Sequence, residues 1–582
     1  MAIGDFLERQ VSVPEAIARV LEQAGIDMVF GMPGGNAMMI FDALYDHAST
    51  IRTVAVRQES LAGVMAEVYG RLTGKPGVAL GQGAFMLTNA LLGTLEAHMG
   101  CSPMLVMADL SDGAPFSHHA PYQAGTGEAG TWDAKKSFEG VTKRTMVLHE
   151  PVQAVQGTQY AAKHAILGEA GPIALLYHSA ALKGRVDPNA VPHLYDTKPY
   201  LRRGRQPAAQ EAVSSAAELL VGARQPVIVA GNGVRISRAY SELQVLAELL
   251  GAPVATTAAG KGVFPETHDL SLGVFGTFGL PAANALVAEA DVLLVVGSRL
   301  SPTDTAFENP RLIDPRRQSI LQIDIEPGNA CWAFPCEEVL SADAAKALAQ
   351  LHATIESGKP VSEETVRQRK ERAAAAREQH GFFNAPEYDS DELPMLPQRV
   401  IAELRRGIAG DAIVTCDAGE NRLFMTHFFQ TTQAGTLLSP AAIGGMGYAI
   451  PAALAAKLVH PDRQVVAVCG DGGFAMAMNG LLTAVDENIP IVALVLNNSS
   501  LGWVMHGQKE RAIASQLRDT RYDEIARAMG CRGLRVENPA ELTEALNEAR
   551  SADRPVVLDV VTSPRVTFEW VLSDLAAPAR SA

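Results

Sequence analysis

The sequence predicts an α/β protein of three doubly wound parallel-sheet domains, and three observations carry that prediction. Short apolar runs end repeatedly in glycine or a small polar residue and lead into stretches of helical spacing, the alternation that builds parallel sheets covered on both faces. The alternation recurs in three blocks of similar length. At 582 residues the chain is also too long for a single core, because domains centre on about 100–150 residues.

The first block, 1–185, opens with "VPEAIARVLEQAGI", whose apolar residues fall at helical spacing, and continues with strand candidates "DMVFGMPGG", "TVAVRQE" and "PGVALGQG". A polar, proline-containing stretch at 186–207 reads as a linker. The second block, 208–350, carries "PVIVAGNGV", "PVATTAAGKGVF", "DVLLVVGSRL" and "SILQIDIEP", four buried-strand candidates. Within it "GNG" at 231–233 does not complete the GxGxxG pattern of a dinucleotide site. Residues 351–394 read as a linker helix whose mixed charges fit a solvated connector better than a nucleic-acid arm. The third block, 395–565, repeats the pattern with "DAIVTCDAG", "QVVAVCGDGG", "PIVALVLNN" and "RPVVLDVVT", and 566–582 is a short tail.

Composition narrows the function classes. Apolar residues at 47% and charged residues at 19% fit a compact α/β protein. A formal net charge of −15 argues against nucleic acid or anionic membrane as a partner. No apolar run reaches the ~18–20 residues of a membrane span, and the N-terminus lacks a basic region followed by an apolar stretch, so a cytoplasmic location is expected. The six cysteines show neither CxxC nor zinc-finger spacing and read as isolated thiols.

One stretch points to chemistry. "VVAVCGDGGFAMAMNGLLTAVDENIPIVALVLNNSS" places Gly470-Asp471-Gly472 at the end of one apolar strand and Asn497-Asn498 at the end of the next. In parallel sheets ligands gather at the carboxyl ends of strands, where helix N-termini favour anions. Glycines admit a phosphate close to the backbone, Asp471 offers a hard anionic oxygen and Asn498 a neutral one. That economy suits magnesium, which takes few protein ligands and fills its shell with phosphate and water.

With 24 residues between Gly472 and Asn497, the motif resembles that of the thiamine diphosphate-dependent superfamily of acetolactate synthase, benzoylformate decarboxylase and pyruvate decarboxylase. The resemblance implies Asp471, Asn498 and the Ser500 carbonyl as metal ligands, with Gly470, Gly472, Gly473 and Asn421 beside the diphosphate. It further implies a glutamate from another subunit that exchanges a proton with the coenzyme's pyrimidine ring. "TVAVRQESLAGVMAEVYGRLTGKPGVAL" supplies Glu59, and its later part is similar to the family's "GYARATGKPGV". In "LLSPAAIGGMGYAIPAALAAKL" the resemblance makes Met446 a wedge between the coenzyme's rings and the Gly444 carbonyl an acceptor from its amine. A homodimer is then the minimum unit and a homotetramer is expected. The middle block is of the type that in relatives is empty or holds FAD or ADP.

"VFGMPGGNAMMIFDAL" is similar to the "FGYPGGAVLPIYDAL" of acetolactate synthases, yet their "SGPGATN" is here "GAFMLTN", with Phe85 and Met86, and their Phe-Gln-Glu is missing. His118 and His119 resemble the paired histidines of pyruvate-decarboxylase-type enzymes, and histidine suits proton transfer near neutral pH. Val504 stands where those decarboxylases carry glutamate. Phe85, Met86, Trp503, Val504 and Met505 would make an apolar pocket, with Lys143, Gln123 or His506 as polar contacts. The expected activity is formation or cleavage of a C–C bond in 2-oxo acids or related 2-hydroxy ketones. The alternatives are a non-ligating decarboxylase for an aromatic or branched 2-oxo acid, or a flavin- or nucleotide-carrying relative.

Overall fold

The computed structural model describes residues 4–113, 123–128, 130–202, 204–358 and 360–568. Three six-stranded parallel sheets carry the fold, as expected of a three-domain α/β protein. Strands β1 (Met28–Gly31), β2 (Arg52–Ala55), β3 (Gly77–Gln82), β4 (Met104–Asp109), β5 (Arg144–Leu148) and β6 (Pro172–Tyr177) form the first, in the order β2-β1-β3-β4-β6-β5. The second contains β7 (Pro226–Ala230), β8 (Val254–Thr256), β9 (Ser271–Val274), β10 (Val292–Val296), β11 (Ser319–Asp324) and β12 (Glu338–Ser341), ordered β9-β8-β7-β10-β11-β12. The third has β13 (Ile413–Cys416), β14 (Leu437–Leu438), β15 (Val465–Gly470), β16 (Val492–Asn497), β17 (Arg532–Val536) and β18 (Val556–Val561), ordered β14-β13-β15-β16-β18-β17.

The first and third sheets share one topology. In both, strand order reverses between the first and third strands in sequence, and a crevice opens there at the carboxyl edge. Those points lie between β1 and β3, beside "GMPGG" and "GQGAF", and between β13 and β15, beside "CDAG" and "CGDGG". The central sheet has the order of dinucleotide-binding sheets, with its reversal between β7 and β10. Its glycines are nonetheless explained by packing: a Cβ on Gly231 would lie 2.4 Å from the Gly297 carbonyl oxygen, and one on Gly233 2.6 Å from the Gly297 Cα. "GNG" therefore carries no argument for a bound nucleotide.

The central strands are apolar on both faces, as covered parallel strands must be. Strands β10, β15 and β16 bury nearly every residue, and the cores form where helices close over each face. By contact the chain divides into two compact units, one of residues up to 204 with 454–461 and 477–489, the other of 205–453, 462–476 and 490 onward.

Part of the stretch read as a linker after residue 185 is structured. Arg185–Val186 pairs antiparallel with Val11–Ser12, and the Gln23 amide donates to Asp196 at 2.8 Å. Isolated two-residue pairings leave no periodicity to read. The charged helix Glu363–His380 is solvated along most of its length, as expected, but docks through buried Arg369, Ala373 and Ala376. The Arg369 guanidinium donates to the carbonyls of Leu250, at 2.6 Å, and Ala223, tying the helix to the ends of two elements of the central domain. Among the described residues no helix is long and apolar enough to cross a membrane.

Helices Glu59–Thr73 and Leu91–Met99 cross with almost no side-chain layer between them. A Cβ on Gly93 would lie 2.0 Å from the Gly63 carbonyl carbon, and one on Gly63 would lie 2.6 Å from the Ala90 oxygen. Backbone cannot yield as a side-chain tip can, so Gly93→Ala is expected to cost about 1–3 kcal/mol. The check is a fall in the urea midpoint at unchanged slope.

Candidate active site

At the reversal point of the third sheet, β15 ends at Gly470 and a helix begins at Asp471. Asp471 is 2% exposed. Its Oδ1 accepts from the Gly472 N–H at 2.7 Å and its Oδ2 from the Ser500 N–H at 3.1 Å. The same Ser500 N–H also donates to Asn498 Oδ1 at 3.2 Å, and the Ser500 hydroxyl donates to that oxygen at 2.9 Å. Carboxylate and carboxamide oxygens from neighbouring strand ends therefore converge on one N–H. Burial pushes the Asp471 carboxyl up to about 6, against the backbone N–H groups that pull it down. A cation would relieve that cost.

The two asparagines have different jobs. Asn497 is 3% exposed and donates to Asp559 Oδ1 at 2.8 Å and to the Thr520 carbonyl at 3.0 Å, so it locks β16 to β18. Asn498 turns the other way, helped by Ser499 in the left-handed region at φ 55°. Ser500 pairs antiparallel with Gln516, the Leu501 N–H donating to the Ser515 carbonyl and the Leu517 N–H to the Ser499 carbonyl, each at 2.8 Å.

Met446 packs beside the start of the helix at Asp471. A Cβ on Gly472 would be 2.9 Å from the Met446 Cε and 2.6 Å from Leu501 Cδ2, so both side-chain tips close on the bare backbone there. The loop carrying Met446 is held by Asp417, a residue that motif reading passed over. Asp417 Oδ1 accepts from the N–H groups of Ala418 and Gly447, and Oδ2 from Ala449, each at 2.9 Å. Burial raises its carboxyl to about 6 despite those donors. Gly444 and Gly447, at φ 68° and 88°, allow the turn. Gly473 must also lack a side chain, since a Cβ there would sit 2.6 Å from Asp417 Oδ1. Asn421 donates to the Asp417 carbonyl at 3.1 Å, while its Oδ1 faces Gly470.

The remaining expected residues fall in several places. Trp503 and Val504 are about half exposed on helix Gly502–Gln508, with Trp503 edge-on to Phe278 at 5.9 Å. His506 is not an open polar contact: Nδ1 meets Glu420 at 2.9 Å and Nε2 meets the Pro564 carbonyl at 2.9 Å. Burial raises the Glu420 carboxyl, and His506 opposes the rise. Lys143 is likewise engaged, donating to the carbonyls of His164 at 2.9 Å and Leu167 at 2.6 Å.

In the first unit Glu59 opens its helix, is 4% exposed, and accepts through Oε2 from the Asn89 amide at 2.8 Å. Phe85 is 36% exposed on helix Gly83–Thr88, whereas Met86 is wholly buried. Its sulfur packs toward Gly81, so Met86 supports the helix from beneath and presents no pocket wall. Gln123 accepts from the Gln82 amide at 2.7 Å, and Gln82 also donates to the Ser111 hydroxyl at 3.2 Å. His118 and His119 lie outside the described residues.

Family comparison supplies the decisive observation. Residues 11–125 match the N-terminal thiamine pyrophosphate-binding domain of thiamine pyrophosphate enzymes, 213–351 their central domain and 417–560 their C-terminal thiamine pyrophosphate-binding domain. The chain belongs to the thiamine pyrophosphate enzymes. It is 31% identical to the acetolactate synthase large subunit of Corynebacterium glutamicum, over 94% of this chain and 86% of that one. It is 30% identical to a Methanocaldococcus jannaschii protein named "Probable acetolactate synthase large subunit", over 97% and 95%.

The residues present fit the coenzyme of a thiamine pyrophosphate enzyme. The sides of Gly472 and Gly473 where a Cβ would lie are packed by Leu501, Met446 and Asp417, which leaves bare backbone at the start of the helix, and beside it stands a buried carboxylate whose burial a cation would compensate. Among the described residues no three of His, Cys, Asp and Glu cluster as a metal-binding set. The oxygens of Asp471 and Asn498 instead make a sparse hard-ligand set of the kind magnesium completes with phosphate and water. Asp417→Ala would leave the Gly447 and Ala449 N–H groups without their acceptor and loosen the Met446 turn. Thiamine diphosphate affinity is then expected to fall about tenfold or more, read by calorimetric titration.

Proposed function

We propose that this chain is a thiamine diphosphate- and magnesium-dependent enzyme that forms or cleaves C–C bonds in 2-oxo acids or related 2-hydroxy ketones. The observation that carries the proposal is the convergence of Asp471 and Asn498 oxygens on the Ser500 N–H beside the bare backbone of Gly472 and Gly473. Thiamine diphosphate, when bound, supplies a nucleophilic carbon for attack on a carbonyl and an electron sink for breaking the adjacent C–C bond.

The chain's own residues do the rest. Asp471, Asn498 and the Ser500 carbonyl hold the divalent ion against the diphosphate, and Gly470, Gly472, Gly473 and Asn421 let it approach. Met446 and the Gly444 carbonyl would hold the coenzyme's rings, the carbonyl as an acceptor for its amine. Glu59 of a second copy would face the coenzyme's pyrimidine ring as the group that holds and gives a proton. Asn89 holds Oε2, so Oε1 is the oxygen that carries that proton. A homodimer is therefore the smallest active unit, and a homotetramer fits the family resemblance.

Ligation or lysis is favoured over simple decarboxylation by the wall at residues 503–506. Trp503 and Val504 are apolar, and both nitrogens of His506 are engaged by Glu420 and Pro564. No open acid on this helix stands ready to protonate a product carbon. The test is incubation with a panel of 2-oxo acids, with and without acceptor aldehydes, followed by mass spectrometry. Coupled or cleaved carbon skeletons support the proposal; free aldehyde as the sole product in every reaction favours a decarboxylase.

A further inference from the structure

Spacing alone marks the cysteines as isolated thiols, and the structure corrects this for two of them. Cys331 is exposed and Cys336 half-buried, in the loop "CWAFPC" that follows β11. Cys331 adopts φ 56°, in the left-handed region, and the chain turns there. Both cysteines then meet one residue: Gln322 Oε1 accepts from the Cys331 N–H at 2.9 Å and from the Cys336 thiol at 3.2 Å. The Cys336 sulfur also lies 3.6 Å from the Phe334 carbonyl oxygen of the same loop. Burial, reinforced by the neighbouring thiol, pushes the Cys336 thiol up to about 12, which keeps it protonated until a reaction partner arrives.

Gln322 is 3% exposed and shared with the mouth of the central sheet, donating to the carbonyls of Ser298 at 3.0 Å and Asn329 at 3.3 Å. The Arg299 guanidinium lies over the Trp332 ring at 5.7 Å, a second link between the loop after β10 and the cysteine loop. Elsewhere the thiols are placed differently. Cys416, Cys469 and Cys531 are buried, and Cys101 donates to Glu169 at 3.2 Å.

We propose that Cys331 and Cys336 are a reversible redox site, a dithiol that closes to a disulfide within its own loop on meeting a low-molecular-weight disulfide such as oxidised glutathione. Exposed Cys331 reacts first. Its thiolate attacks one sulfur of the oxidant, a Cys331–glutathione bond forms, and the other glutathione leaves as a thiolate that takes up the proton. Cys336 then gives its proton to solvent, and its sulfur attacks that of Cys331, expelling the second glutathione. Two cysteines lose two electrons and two protons in all, and the oxidant is reduced to two thiols. Closure takes the Cys336 donor from Gln322, the residue that also holds Ser298 at the end of β10.

The test treats the full-length native protein with oxidised glutathione, alkylates the remaining thiols and digests with trypsin. Peptide 318–346 contains both cysteines and no other. It is expected to become lighter by two hydrogens and resistant to alkylation, and dithiothreitol should reverse both changes. In Cys336→Ser, glutathione should stay on Cys331. Phenylarsine oxide, which requires two adjacent thiols, should bind one per wild-type chain and none in Cys331→Ser or Cys336→Ser. Stable glutathione on wild-type Cys331 without closure would overturn the proposal, as would earlier oxidation of Cys101 or arsenical binding that survives either substitution.

Discussion

Asp471→Asn is expected to weaken magnesium-dependent binding of thiamine diphosphate by about 10³-fold, roughly 4 kcal/mol. The substitution keeps the size of the side chain but only one acceptor oxygen, so one of the Gly472 and Ser500 N–H groups, each now held by its own carboxylate oxygen, loses its partner. What it removes is the negative charge. Magnesium is a hard cation that dehydrates reluctantly, and a neutral amide cannot replace the one carboxylate in this oxygen set. Without the cofactor the relief of no longer burying a charge and the loss of one buried acceptor oppose each other, so stability should change by no more than about 1 kcal/mol. Calorimetry with magnesium present reads the first effect, and thermal unfolding without it reads the second. Affinity within threefold of wild type would remove Asp471 from the metal site.

Glu59→Gln is expected to slow turnover by about 10²–10⁴-fold, the usual worth of a positioned proton-transfer group, with cofactor affinity nearly unchanged. Glutamine can still accept from Asn89 and still opens the helix Glu59–Thr73. It cannot hold a transferable proton on Oε1. A readout that needs no substrate is the exchange of the coenzyme's thiazolium ring proton with solvent deuterium, followed by NMR, which should slow in parallel. Exchange at the wild-type rate would mean that Glu59 is only a buried helix-start acid.

The parts of this protein that were legible in sequence are local ones. Strand, glycine and helix follow one another within a dozen residues, so β7, β10, β15 and β16 and the loops after them could be read directly. Strand β14 is two residues long and β5 lies at a sheet edge, and neither carries a run of apolar residues ended by glycine. The site shows the same division. Asp471, Asn498 and Glu59 stand in contiguous motifs, whereas the groups that hold them come from far along the chain. Asn89 is 30 residues from Glu59, Asp417 reaches Gly447 across 30, and His506 meets Glu420 across 86. No spacing rule encodes such contacts; they follow from sheet topology, which brings β13, β15 and β16 side by side. The strand end at "CDAG" did offer a signal for Asp417, since it mirrors "CGDGG" one strand over. Met86 was misassigned because helix Gly83–Thr88 is too short for periodicity to tell its inward from its outward face. His506 and Lys143 were read as open polar groups because their partners are distant in sequence or are backbone carbonyls.

The measurement that bears most directly on the cation-bridged site is titration of thiamine diphosphate into metal-stripped protein, with magnesium and then with a chelator in its place. If Asp471 and Asn498 grip the diphosphate through a divalent ion, heat of binding should be seen with magnesium and vanish with the chelator. Equal binding in both conditions would contradict that account.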